Sequence, residues 1–169
     1  IPGNKYRMYY SVGNADSTQI KYAESTDGIT WTGMGQLLRG SLVPTDRDFI
    51  IGGPTVIEIP GNQYRMYLRC SPTYTIEAPF HIRSYISNDG VNFTFEQIVI
   101  DVTPDDPNSI FFSAGQSAIF QATDGTYKMF FTGKTASSIG APDTWLASSV
   151  DGLTWTDYQY TDGYWDTTE

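Results

Sequence analysis

The sequence predicts an all-β protein, a β-propeller built of four-stranded antiparallel blades. Three observations lead there. A turn motif occurs three times, as Ser25-Thr26-Asp27-Gly28-Ile29-Thr30-Trp31-Thr32, Ser87-Asn88-Asp89-Gly90-Val91-Asn92-Phe93-Thr94 and Ser149-Val150-Asp151-Gly152-Leu153-Thr154-Trp155-Thr156, with 62 residues between successive copies. A strand motif leads each copy: Tyr6-Arg7-Met8-Tyr9-Tyr10, Tyr64-Arg65-Met66-Tyr67-Leu68 and Tyr127-Lys128-Met129-Phe130-Phe131. The composition is 15% aromatic with 12 Tyr, which suits pleated, half-buried strands, and no stretch carries a helical period. Two linked motifs at a shared period mark a repeat protein.

The second copy gives the elements in order. Residues 53–59 are β-branched and read as a first strand, and Pro60-Gly61-Asn62 is a turn. Residues 63–70 alternate, with Tyr64, Met66 and Leu68 on one face and Arg65, Tyr67 and Arg69 on the other. A long loop holding Pro72 and Pro79 follows. Residues 81–87 form a third strand, Asn88-Asp89-Gly90 turns the chain, and residues 93–99 form a fourth. Such a blade cannot bury both faces of its sheet alone, so it stacks on neighbours around an axis, and the first strand of each blade lines the channel.

The turn motif has a physical reason. The Asp carboxylate accepts backbone N–H bonds two residues on, and Gly supplies the positive φ. The aromatic residue after it is expected to pack between blades. Asp27, Gly28 and Trp31, with Asp89, Gly90 and Phe93 and with Asp151, Gly152 and Trp155, are therefore read as structural. The repeat divides the chain into an incomplete blade 1 (1–44), blade 2 (45–104), blade 3 (105–160) and a lead-in to a further blade (161–169). Because Ile1-Pro2-Gly3-Asn4 matches Ile59-Pro60-Gly61-Asn62, blade 1 starts at the end of its first strand. Part of a five-bladed propeller, or an oligomeric ring, is the expected setting.

Composition narrows the function classes. The net charge is −9 and no basic cluster exists, so a nucleic-acid footprint is missing. The acidic surface disfavours anionic membranes and suits neutral ligands such as sugars. A single cysteine, Cys70, rules out an intrachain disulfide. Asn92-Phe93-Thr94 fits a glycosylation sequon on a turn. No metal-ligand spacing, phosphate loop or nucleophilic triad is present, so no cofactor is expected. Aromatic richness and few lysines lean towards an exported, extracellular protein.

The Gly-Pro-Thr-Val-Ile first strand, the Tyr-Arg-Met-Tyr second strand and the Ser-x-Asp-Gly-x-x-Trp turn together resemble the five-bladed propeller glycosidases: arabinanases, β-xylosidases, invertase-like enzymes and mannoside phosphorylases. The turn is also similar to a shortened sialidase Asp-box. The resemblance implies a carbohydrate partner and glycosidic-bond hydrolysis, which needs two carboxyl groups. The alternative is a non-catalytic propeller module for carbohydrate binding or self-assembly through unpaired blade edges.

Residues that break the repeat near the channel are the functional candidates. Asp46, Arg47 and Asp48 precede the first strand of blade 2, and blade 3 has no acids at the matching stretch. Arg47-Asp48 resembles the Arg-Asp pair of the invertase-like enzymes, with Phe49 where the family has Pro. The resemblance implies that Asp48 stabilises the transition state. Glu77-Ala78-Pro79 resembles the Glu-Gly-Pro of the xylosidase-like general acid, although the repeat puts Glu77 in a loop. His81 is the only histidine and the remaining catalytic candidate. Asp105 and Asp106 read as turn formers or rim acids. Arg69 replaces the smaller Ser11 and Thr132 of the other copies, and with Arg47, Asp105 and Asp106 it completes the substrate-binding candidates.

Overall fold

A computed structural model describes residues 1, 3, 5–14, 17–39, 50–71, 79–102, 110–135 and 142–161. Among them the chain is all β, with eleven strands. The first sheet holds β1 (Tyr6–Asn14), β2 (Ser17–Ser25) and β3 (Thr32–Arg39). The second holds β4 (Ile50–Ile59), β5 (Gln63–Ser71), β6 (His81–Ser87) and β7 (Thr94–Ile100). The third holds β8 (Ser113–Gln121), β9 (Tyr127–Lys134), β10 (Asp143–Ser149) and β11 (Thr156–Thr161). Within each sheet the strands pair in sequence order and antiparallel. These are propeller blades, referred to as blades 1, 2 and 3. Thr161 belongs to β11 and pairs with Thr144, so the third sheet takes in the residue expected to open the lead-in.

The blades stack through two cores. Ile20, Ile51, Met66, Leu68, Cys70 and Phe93 are buried between blades 1 and 2. Tyr67, Ile82, Phe111, Ala114, Met129 and Trp155 belong to the core between blades 2 and 3. The alternation of β5 makes both possible, since Met66 and Leu68 enter one core and Tyr67 the other. Burying one such side chain contributes about 1.5–3 kcal/mol, so the stacked faces supply most of the driving force.

The repeated turn is the second component of each interface. In blade 2 the Asp89 carboxylate accepts the N–H groups of Val91 and Asn92 at 2.8 and 2.7 Å. The Ser87 hydroxyl donates to Asp89 at 2.8 Å and accepts from the N–H of Gly90 at 3.0 Å. The same bonds recur around Asp27 and Asp151. Gly28, Gly90 and Gly152 sit at φ of 74°, 69° and 72°, the left-handed region that glycine enters without a Cβ penalty.

The turns of blades 2 and 3 are each gripped by the preceding blade. Arg7 Nη1 donates to the Asp89 carbonyl at 2.9 Å, and the Tyr9 hydroxyl donates to the Gly90 carbonyl at 2.9 Å. One blade later, Arg65 Nη1 donates to the Asp151 carbonyl at 2.7 Å and the Tyr67 hydroxyl to the Gly152 carbonyl at 2.8 Å. Tyr9 meets the edge of Phe93, and Tyr67 the edge of Trp155, at centroid distances of 6.0 and 6.2 Å. The aromatic residues of these two turns, Phe93 and Trp155, therefore pack between blades. Each gripping arginine is held by an acid: Arg7 by Glu24, and Arg65 by both oxygens of Glu96 at 2.8 Å.

Candidate functional site

The innermost strands and the strand ends beside them define a rim between blades 2 and 3. Pairing of Ile50 with Ser71, Cys70 with His81 and Ser113 with Lys134 puts these residues at one end of the two sheets. The blades are tied together there by backbone. The Ala114 N–H donates to the Phe80 carbonyl at 2.6 Å, and the Phe80 N–H donates to the Ser113 hydroxyl at 3.4 Å.

Both innermost strands are bulged near this end. In β4 the register shifts between Gly52 and Thr55, and in β8 between Gly115 and Ser117. A bulge re-aims the side chains around it and is frequent beside functional sites. Here the bulges bring the blades into contact: the Thr55 hydroxyl donates to the Ser117 carbonyl. Gly53, at φ 58°, lies so close that a Cβ there would stand 3.4 Å from Gln116 Cγ. Gln116 itself is exposed and offers an amide at the rim.

Arg69, on β5 opposite Gly52, stands beside the bulge of β8. Its guanidinium lies 4.3 Å over the Phe80 ring. Its Cδ would be 3.2 Å from a Cβ at Gly115, so a larger residue at 115 would crowd it. Burial pushes the Arg69 pKa down, because a guanidinium removed from water loses hydration. Its Nε is buried without an acceptor among the described residues. Arg65 shows the contrast: burial opposes its charge, but Glu96 and Tyr67 outweigh that and raise its pKa. An arginine stacked on an aromatic ring with donor capacity to spare suits hydroxyl or oxyanion recognition.

His81 opens β6 and is buried at 6% exposure. It pairs with Cys70 on the face turned towards blade 1, opposite to Arg69. Its Nε2 accepts from Arg83 Nε at 2.9 Å, which occupies the lone pair a general base needs. The structure therefore does not bring His81 together with Arg69. Asp46, Arg47, Asp48, Glu77, Asp105 and Asp106 lie outside the described residues, as does the stretch 162–169. Two carboxylates that the repeat comparison passed over are described near this end. Asp143 opens β10 opposite Gly133, the position His81 takes in β6 opposite Cys70, and Asp101 follows the end of β7. Asp143 lies 62 residues after His81, the same interval as between the turns, so the repeat itself sets the two at one position. Gln116 was passed over because the bulge that displays it leaves no sequence signature beyond Gly115.

A concavity of about 470 Å³ lies between blades 1 and 2 at the turn end, with Arg7, Tyr9, Trp31, Val56, Glu58 and Tyr64 among its walls. It contains none of the candidate residues. Among the described residues no group of three His, Cys, Asp or Glu side chains is placed to hold a metal ion. No helix among them is long and apolar enough to cross a membrane.

No family model matches the sequence, and no curated protein matches it. Solved structures do match. A family 117 glycoside hydrolase from the marine bacterium Zobellia galactanivorans superposes with a TM-score of 0.71 at 14% identity, over 97% of this chain and 53% of that one. The GH32 β-fructofuranosidase of Bombyx mori gives 0.70 at 14% identity, over 96% and 36%. The β-1,2-mannobiose phosphorylase of Listeria innocua gives 0.61 at 20% identity, over 89% and 39%. The chain thus spans between about a third and a half of the length of these proteins. The likeness is one of fold: the chain has the propeller-blade fold that the sequence resemblance implied.

Proposed function

We propose that the chain is part of a carbohydrate-active propeller that cleaves glycosidic bonds, with the rim between blades 2 and 3 as part of its sugar site. The observation that carries this reading is Arg69. It breaks the repeat, is stacked on Phe80 and has a buried Nε with no acceptor among the described residues, at the strand ends from which the segments holding Asp48, Glu77 and Asp105 connect. The likeness to glycoside hydrolases and a phosphorylase supports it.

In this reading Arg69 and Gln116 bind sugar hydroxyls, Asp48 stabilises the positively charged transition state, and Glu77 supplies the proton to the leaving oxygen. The site lies in an exported protein. The test is hydrolysis of a panel of aryl glycosides and oligosaccharides by the longest natural form of the chain. Asp48→Asn is expected to lower kcat by more than about 100-fold while binding persists, the scale of a lost catalytic group. Undiminished turnover in that variant removes Asp48 from the chemistry.

A second reading, a non-catalytic module, draws on the exposed apolar residues on the outer faces of blades 1 and 3, among them Tyr6, Met8, Phe120 and Phe130, which leave those faces open to a partner. Its chemistry turns on which side chains those faces present.

A further inference from the structure

The two interfaces inside the chain follow one docking rule. An Arg-x-Tyr pair on the second strand of one blade donates to the carbonyls of the Asp-Gly turn of the next. The fit is close: a Cβ on Gly90 would lie 2.6 Å from Arg7 Nη1 and 2.9 Å from the Tyr9 hydroxyl, and one on Gly152 would lie 2.8 Å from each of Arg65 Nη1 and the Tyr67 hydroxyl. Gln97 adds a third bond, to the Leu153 carbonyl at 3.0 Å.

Blade 1 carries the receiving half of this interface in finished form. Asp27 accepts the N–H groups of Ile29 and Thr30 at 2.8 and 2.7 Å, and Gly28 has the φ of its counterparts. Among the described residues a Cβ on Gly28 would meet only Tyr6, at 3.8 Å. Ile29, the counterpart of Leu153, is 84% exposed.

The outer face of blade 3 does not carry the donating half. Lys128 stands where Arg7 and Arg65 stand, and its Nζ is bound to the Ser148 hydroxyl at 2.9 Å. Phe130 stands where Tyr9 and Tyr67 stand, lacks the hydroxyl and lies against Phe120 in a stack with centroids 6.3 Å apart. Arg7 pairs across the strands with Glu24, whereas Lys128 pairs with Ser148. The acid that pins the arginine is therefore also replaced.

We propose that the turn at residues 25–32 is a docking site selective for a fourth blade of the same repeat that presents Arg-x-Tyr, and that Lys128 and Phe130 withhold this pair from blade 3, so that a second copy of this chain is not the occupant. The two internal interfaces supply the geometry. A lysine makes a single point contact where arginine's fork bonds a carboxylate and a carbonyl together, and a phenyl ring leaves the Gly carbonyl without its donor. An interface joining unlike faces of identical chains builds open or ring assemblies, and these two substitutions act against that outcome.

The test restores the missing half. Lys128→Arg, Phe130→Tyr and Ser148→Glu together rebuild on blade 3 the arrangement of blade 1. Sedimentation velocity across a concentration series is expected to show this variant associating at least 10-fold more tightly than the wild-type chain. Adding Gly28→Val, or Ile29→Lys at the exposed neighbouring position, is expected to return association to the wild-type level. The pair Lys128→Arg and Phe130→Tyr alone, both conservative in size, is measured beside it in case Ser148→Glu disturbs the fold. Rebuilt variants that associate no more tightly than wild type overturn the proposal, and so does a gain that survives both blocking substitutions. Wild-type self-association that Ile29→Lys abolishes overturns it equally, and makes a second copy the occupant.

Discussion

At the scale of the residue, the turn aspartates show how one side chain fixes a loop. Backbone N–H bonds from Thr30 and Ile29, with the Ser25 hydroxyl, hold the Asp27 pKa down to about 2. The N–H of Thr154 leads the same effect on Asp151, also at about 2. Asp89 is lowered likewise by Asn92 and Val91. A folded-state pKa below the unfolded value of about 3.9 means that the carboxylate stabilises the fold above that value. The contribution is lost as pH falls through the folded pKa. Urea unfolding is thus expected to show no loss from these groups between pH 7 and 5 and a growing loss from about pH 4 to 2. Asp151→Asn is expected to lower stability at pH 7 and to flatten that slope. A variant with an unchanged acid limb contradicts the assignment.

Two glycines separate backbone preference from packing. Gly28 and Gly152 share a left-handed φ, but only Gly152 is enclosed by Arg65 and Tyr67. Gly28→Ala is expected to cost about 1–2 kcal/mol, the penalty of an L residue in that region. Gly152→Ala adds an overpacking cost of about 1–3 kcal/mol. Equal losses of stability in chemical denaturation would show that blade 2 does not grip the turn.

At the scale of the element, the interface between blades 2 and 3 rests on one strand that feeds both cores. Tyr67→Phe removes a buried hydroxyl and leaves the Gly152 carbonyl without its donor, an expected loss of about 1–2 kcal/mol. Arg65→Met leaves Glu96 and the Asp151 carbonyl unpaired and is expected to cost more. The two residues grip one turn, so the double variant is expected to lose less than the sum of the single losses. Strict additivity would mean that the contacts act separately.

The sequence shows these elements well because each has a local cause. Alternation in β5 places Met66 and Tyr67 on opposite faces, and Ser-x-Asp-Gly folds through bonds within five residues. The inter-blade grip was not legible. It joins Arg65 to Asp151 and Tyr67 to Gly152, more than eighty positions apart, and nothing local to either end announces the other. His81 shows the same limit: nothing in the residues around it announces that Arg83 donates to its Nε2. The bulges that set Gln116 beside Gly53 depend on how β8 meets β4, which no pattern within either strand encodes.

At the scale of the whole molecule, the repeat both builds the scaffold and isolates the site. Residues common to the copies tie blade to blade, and one residue that breaks the pattern, Arg69, stands at the rim in place of Ser11 and Thr132, beside Phe80. A carbohydrate seated there would face the guanidinium, the ring and the Gln116 amide. The distinct concavity between blades 1 and 2 is the natural competitor, with Trp31 and Tyr9 in its walls. The most direct measurement is a titration of the isotope-labelled chain with arabino-, xylo-, manno- and fructo-oligosaccharides, followed by amide chemical shifts. Saturable shifts confined to Arg69, Phe80, Gly115 and Gln116, and weakened at least 10-fold in affinity by Arg69→Met, are the expected result. Shifts confined to Trp31, Tyr9 and Val56, or none with any of the sugars, would contradict a sugar site at the rim.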